Sequence, residues 1–159
     1  MFGDTPLVMV ETQAALEAAA ARLRESPVLG VDTESDSFHH YQEKVCLLQI
    51  SDLSRDYIID PLQVRDLSPL APLMQDQRIV KIFHGADYDV VSLKRDYGYT
   101  FSNLFDTMIA SFCAHGASRR HNLDELALTY FDIAKIPTSA LIGSGKKQIS
   151  MADVPVAKV

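Results

Sequence analysis

Val28-Leu29-Gly30-Val31-Asp32-Thr33-Glu34 decides the fold: an apolar run short enough for a strand ends in two carboxylates spaced two residues apart. Side chains alternate along a strand, so Asp32 and Glu34 share one face. A second run, Ile79-Val80-Lys81-Ile82-Phe83, leads through His84-Gly85-Ala86 into a polar segment carrying Asp89. Carboxylates gathered at strand ends repel one another, and the usual compensation is a bound divalent cation or a raised pKa. Oxygen ligands of this kind suit Mg²⁺ or Mn²⁺.

Around these two runs the chain alternates strand and helix signals. Leu7-Val8-Met9-Val10 reads as a strand, and Thr12 as the N-cap of a helix through Arg24 with Ala15, Leu16, Ala19, Ala20 and Leu23 on one face, broken by Pro27. Val28 to Glu34, Val45 to Ser51 and Tyr57 to Ile59 read as strands, the last two forming a hairpin across Asp52-Leu53-Ser54-Arg55-Asp56. Ser68 and Pro69 open a short helix, and the Ile79 to Phe83 strand precedes a helix from Asp87 to Tyr97 closed by Gly98. Further helices are expected from Asp106 to about Ala114 and from Asn122 to about Phe131. A hairpin followed by alternating strands and helices predicts an α/β domain, a mixed sheet flanked by helices.

The 159 residues suit a single domain, and 47% hydrophobic residues is an ordinary share for a soluble globular protein. No apolar stretch approaches the ~20 residues that span a bilayer, and no secretion signal opens the chain, so a cytoplasmic protein is expected. Cys46 and Cys113 lie in apolar surroundings without a neighbouring cysteine and read as reduced core residues. A net charge of −6 argues against bulk attraction to nucleic acid. It does not exclude a nuclease, whose metal-binding carboxylates themselves add negative charge. Asp153-Val154-Pro155 reads as a helix start, yet the chain ends at Val159, so residues 1–159 read as one domain incomplete at its C-terminus.

Taken together, these residues resemble a known family. Val31-Asp32-Thr33-Glu34 with His40-Tyr41-Gln42-Glu43-Lys44-Val45-Cys46-Leu47-Leu48-Gln49-Ile50 is similar to the first exonuclease motif of ribonuclease D and its exosome-associated relatives. Ile59-Asp60-Pro61 and Lys81-Ile82-Phe83-His84-Gly85-Ala86-Asp87-Tyr88-Asp89 resemble the next segment and the second motif. Phe105-Asp106-Thr107-Met108 and Leu123-Asp124-Glu125-Leu126-Ala127 extend the match, and Gly145-Lys146-Lys147-Gln148 is similar to the proofreading domain of DNA polymerase I.

The resemblance implies a ribonuclease H-like mixed sheet and two-metal hydrolysis of terminal phosphodiesters from the 3′ end of single-stranded RNA or DNA. Asp32 is implied to bridge both cations, Glu34 to bind the first, and Asp89 to hold the second through water. His84 and Tyr88 match positions that touch the terminal nucleotide, and Phe38 an apolar wedge stacked on the last base. The family's fourth carboxylate, preceded four residues earlier by tyrosine or five earlier by histidine, has no counterpart: Asp153, Asp132 and Asp124 all fail the spacing, and Asp106 reads as a helix cap. Loss of that ligand is expected to cripple this chain as an enzyme.

Several residues have plainer readings. Asp87 competes with Asp89, and the family offset from His84 selects Asp89. His84 reads equally well as a strand-end histidine, and Phe38 as loop packing. His39, His40, His115 and His121 lack metal-ligand spacing. Arg119, Arg120, Lys146 and Lys147 read as solvated charge, and Gly143 to Lys147 as a basic loop without the spacing of a phosphate loop. The rival to the exonuclease is a noncatalytic nucleic-acid-binding or scaffold module that keeps the fold.

Overall fold

The computed structural model describes residues 5–35, 44–134, 136–143, 149 and 154. Phe38, Lys146, Lys147 and Asp153 lie outside them, as does most of the basic loop. The elements are β1 (Leu7–Val10), α1 (Gln13–Leu23), β2 (Val28–Ser35), β3 (Val45–Ser51), β4 (Asp56–Ile59), α2 (Ala71–Gln75), β5 (Val80–Phe83), α3 (Asp87–Tyr97), β6 (Leu104–Asp106), α4 (Thr107–His115), α5 (Leu123–Phe131) and α6 (Thr138–Ile142).

The strands form a mixed sheet in the order β1-β4-β3-β2-β5-β6. β2 sits near its middle, antiparallel to β3 through pairs such as Asp32↔Gln49 and parallel to β5 through Val28↔Val80 to Gly30↔Ile82. The ladder between β2 and β5 stops there, so β2 and β3 project past β5. Leu29, Val31, Leu48, Ile50, Tyr57 and Ile59 pack on Leu16, Ala19, Ala20 and Leu23 of α1 and on Leu67, Leu70, Leu73 and Met74 around α2. Alternation does the rest: with Leu29, Val31 and Thr33 buried, Asp32 is pushed to the other face and is exposed.

Local chemistry explains the element ends. The Thr12 hydroxyl accepts from the Ala15 N–H at 3.2 Å and starts α1. Gly98, at φ 68°, ends α3 in the left-handed conformation that glycine adopts without strain. α3 carries Asp87 and Asp89 in its first turn and Lys94 and Arg95 in its last, matching the helix dipole.

Some expectations need correction. β6 has no strand signature of its own; Leu104 and Phe105 are largely exposed, and the strand exists because β5 pairs with it. Cys113 is exposed on α4 and not a core residue, while Cys46 is buried; neither forms a disulfide. Lys81 is fully buried, its Nζ donating to the carbonyls of Asp76 at 2.7 Å and Ile79 at 2.8 Å. No helix among the described residues is long and apolar enough to cross a membrane.

Candidate active site

Asp32 and Glu34 emerge from β2 where it outruns β5. On that side the Thr33 N–H has lost its strand partner, and a buried N–H left without an acceptor is costly. Asp89 supplies the acceptor: its Oδ1 receives the Thr33 N–H at 3.0 Å and the Thr33 hydroxyl at 2.6 Å. The first turn of α3 is thereby fastened to β2 at the residue between the two strand carboxylates. The β2–β3 register shifts between Glu34 and Ser35, an irregularity of the kind that re-aims side chains beside active sites.

Asp89 is 5% exposed, whereas Asp87 is exposed, so the helix turns Asp89 and not its neighbour into the sheet. Burial pushes the Asp89 carboxyl above its ordinary 3.8, and the Asp32 carboxylate pushes it further; the bonds from Thr33 act the other way without cancelling them. Asp32 and Asp89 therefore feel each other's charge. Among the described residues no three His, Cys, Asp or Glu side chains are gathered closely enough to hold a metal ion as they stand. Carboxylates of like charge keep apart, and the repulsion registered at Asp89 is what a shared divalent cation relieves. The donors also fit such a cation, since all are hard oxygens.

Asp106 builds the frame. Its carboxylate accepts four backbone N–H groups: Gly85 at 3.1 Å and Ala86 at 2.8 Å before α3, and Met108 at 2.8 Å and Ile109 at 3.2 Å at the start of α4. Burial acts to raise its pKa, but these donors outweigh it and hold the carboxyl below the ordinary range. The helix-cap expectation holds, and one side chain fixes both helix starts. Gly85, at φ 74°, is required in this turn; a Cβ there would also meet the Met108 Cε at 3.2 Å.

His84 lies on the same turn, its Nδ1 2.9 Å from the Thr107 hydroxyl, which donates to the Phe83 carbonyl at 3.0 Å. A hydroxyl has one proton to give, so Nδ1 carries the hydrogen and donates to Thr107. His84 Nε2 is buried with no hydrogen-bond partner among the described residues. It borders a largely apolar cavity of about 520 Å³ with Phe105, Ala110, Leu126 and Phe131. Tyr88 is 46% exposed beside Asp89.

Thr33 is the residue that sequence reasoning missed. Its only signal was its place between two carboxylates on the opposite alternation phase, which reads as ordinary core.

Residues 7–155 match the model of a family described as 3′-5′ exonuclease. The chain is 43% identical over 108 residues to the exosome complex component 10 homolog of Caenorhabditis elegans, spanning 67% of this chain and 12% of that protein. It superposes on the catalytic core of RRP6 from Trypanosoma brucei with a TM-score of 0.84 at 33% identity, covering 99% of this chain and 42% of that one. Against Escherichia coli RNase D, an exoribonuclease, the TM-score is 0.76 at 26% identity, covering 86% and 36%. The sheet is thus the ribonuclease H-like one of these exonucleases, and the chain spans less than half of each relative.

Proposed function

Because the chain belongs to the 3′-5′ exonuclease family, whose members depend on divalent metal, we propose that it removes nucleotides from single-stranded 3′ ends at Asp32, Glu34 and Asp89. RNA is the favoured substrate, since solved relatives above 25% identity include an RRP6 core and an exoribonuclease. Mg²⁺ or Mn²⁺ bound by these carboxylates supplies activation of the attacking water and neutralisation of the departing oxygen. The chain's own residues do the rest. Thr33 holds Asp89 against β2, Asp106 fixes the turn that carries it, and His84 Nε2 with Tyr88 meets the terminal nucleotide, with Phe38 stacked on its base.

The observation that carries the reading is the Thr33 lock on Asp89, which commits a buried carboxylate to the strand bearing two more and keeps it within reach of the Asp32 charge. No Tyr-x-x-x-Asp occurs in the sequence, so turnover is proposed to be slow. Labelled single-stranded RNA and DNA, incubated with excess protein and Mg²⁺ or Mn²⁺, should shorten stepwise from the 3′ end. Asp32→Ala and Asp89→Ala should abolish the ladder. Cleavage that survives either change removes these residues from the chemistry. Absence of Mn²⁺ binding at millimolar metal favours the scaffold reading.

A further inference from the structure

β4 runs antiparallel to β3, so its C-terminal end lies at the end of the sheet where β3 begins and β2 finishes. Three cations from three separate segments meet there: Lys44 just before β3, Arg65 beyond β4, and Arg95 in the last turn of α3. They line an open cleft of about 690 Å³ together with Pro61, Leu62 and Asp96. Asp96 is already engaged, accepting the Val45 N–H at 2.9 Å and the Arg95 Nε at 2.6 Å. Burial acts to raise the Asp96 pKa, but Arg95, the Val45 N–H and the nearby Lys44 outweigh it, placing Lys44 within electrostatic reach.

The cleft therefore carries more positive than negative charge in a protein whose net charge is −6. Two other grooves among the described residues do not. The one at Arg24 and Arg78 is balanced by Glu25 and Asp76, and the one at Arg22 carries Glu25 and Asp52. The cleft also has a fixed relation to the carboxylates. Asp96 follows Asp89 by seven residues, so it lies on nearly the same side of α3 and about 10 Å further along it. Asp89 touches β2 at Thr33 and Asp96 touches β3 at Val45, so α3 runs from the carboxylates to the cleft.

We infer that this cleft holds backbone phosphates of the nucleic-acid strand a few nucleotides upstream of the scissile bond, with Lys44 and Arg65 as the principal contacts. The inference rests on the exonuclease reading and adds a subsite to it. With a net charge of −6 the protein as a whole does not attract a polyanion, so a local cationic cleft at the far end of the helix that carries Asp89 supplies the grip that bulk charge does not. Pro61 and Leu62 offer no base-specific donors, which suits sequence-independent holding.

The test measures equilibrium binding of fluorescent single-stranded oligouridylate across a salt series, in an Asp32→Ala background that prevents cleavage, with a dinucleotide as short ligand. Lys44→Gln with Arg65→Gln should weaken oligonucleotide binding roughly tenfold and flatten the log–log salt slope by about 1.4, two lost contacts at ~0.7 each on a single strand. Dinucleotide binding should not move. Lys44→Arg with Arg65→Lys should restore both affinity and slope, and unchanged thermal melts guard against misfolding. An unchanged slope with intact binding overturns the subsite and leaves the exonuclease reading standing. Equal losses for dinucleotide and oligonucleotide also overturn it. A parent chain that binds no RNA at any salt overturns both.

Discussion

The sheet up to Phe101 and the helical segment after it are made differently. Every member of the main apolar cluster lies between Val8 and Phe101, with Leu16, Leu23, Leu29, Leu48, Ile50 and Ile59 fully buried. Beyond that, Ile109 is 59% exposed, Phe112 55%, Leu128 52% and Phe131 53%, and α4 and α5 bury only Ser111 and Leu126. The first region is held by packing. The second is held chiefly by polar fixings: Asp106 at the start of α4, the His121 Nδ1 contact with Ser111 at 2.9 Å, and the His115 Nε2 contact with Tyr130 at 2.8 Å. The carboxylates sit on the packed side of this divide, and His84 looks across it. A strand-borne site inherits the rigidity of its sheet, which metal chemistry requires.

The sharpest way to break the comparison is to truncate one apolar residue in each region. Leu48→Ala or Ile59→Ala should cost about 2–5 kcal/mol, because neighbours in a filled core cannot close the cavity. Ile109→Ala or Phe112→Ala should stay within about 0.5 kcal/mol, as expected of exposed side chains. Urea unfolding reads both, and a large loss at Phe112 would mean that the second region is packed after all.

Asp106 joins the two regions, and Asp106→Ala should follow with a loss of about 3 kcal/mol, since bonds to both helix starts go together. Its lowered pKa gives that stability a pH window: present above the ordinary 3.8 and lost as pH falls through the folded value. An acid-unfolding midpoint that the variant leaves unmoved would sink the assignment. Lys81→Met keeps the aliphatic stem but strands the Asp76 and Ile79 carbonyls, for about 1–3 kcal/mol by the same measurement.

What was legible in the sequence tracks this division. α3 was readable because Gly98 marks its end, and α1 because Thr12 caps an alanine-rich face, although the helix stops at Leu23 with Arg24 as its cap. The strand that carries Asp32 and Glu34 was readable from its apolar run, and their pairing on it from their spacing. Asp89 was chosen over Asp87 only through a family offset, since both begin the same helix; burial against Thr33 is what separates them. β6 was illegible because a three-residue strand with exposed side chains has no periodicity to read, only a neighbour to pair with. Lys81 was equally hidden, because its burial depends on two carbonyls from the preceding loop. The order of the strands follows from which edges meet in space, and no local pattern encodes it.

The smallest expected stability change is the one that bears most on function. Asp89→Asn retains an oxygen that can accept from the Thr33 N–H and hydroxyl, but removes a buried charge opposed by Asp32. The folded state holds the Asp89 proton to higher pH than the unfolded chain does. Its contribution is therefore fully present below the ordinary 3.8 and is lost as pH rises through the raised folded value. At neutral pH the amide should melt at or above the parent's temperature, while Mn²⁺ binding and 3′ shortening fall away. Such a split, with stability kept and function lost, is the mark of a residue strained for chemistry. Thermal melts of parent and variant across acidic to neutral pH should converge at the acid end and separate, variant higher, as pH rises. A variant that melts well below the parent at neutral pH would make Asp89 a structural pin and detach it from the metal site.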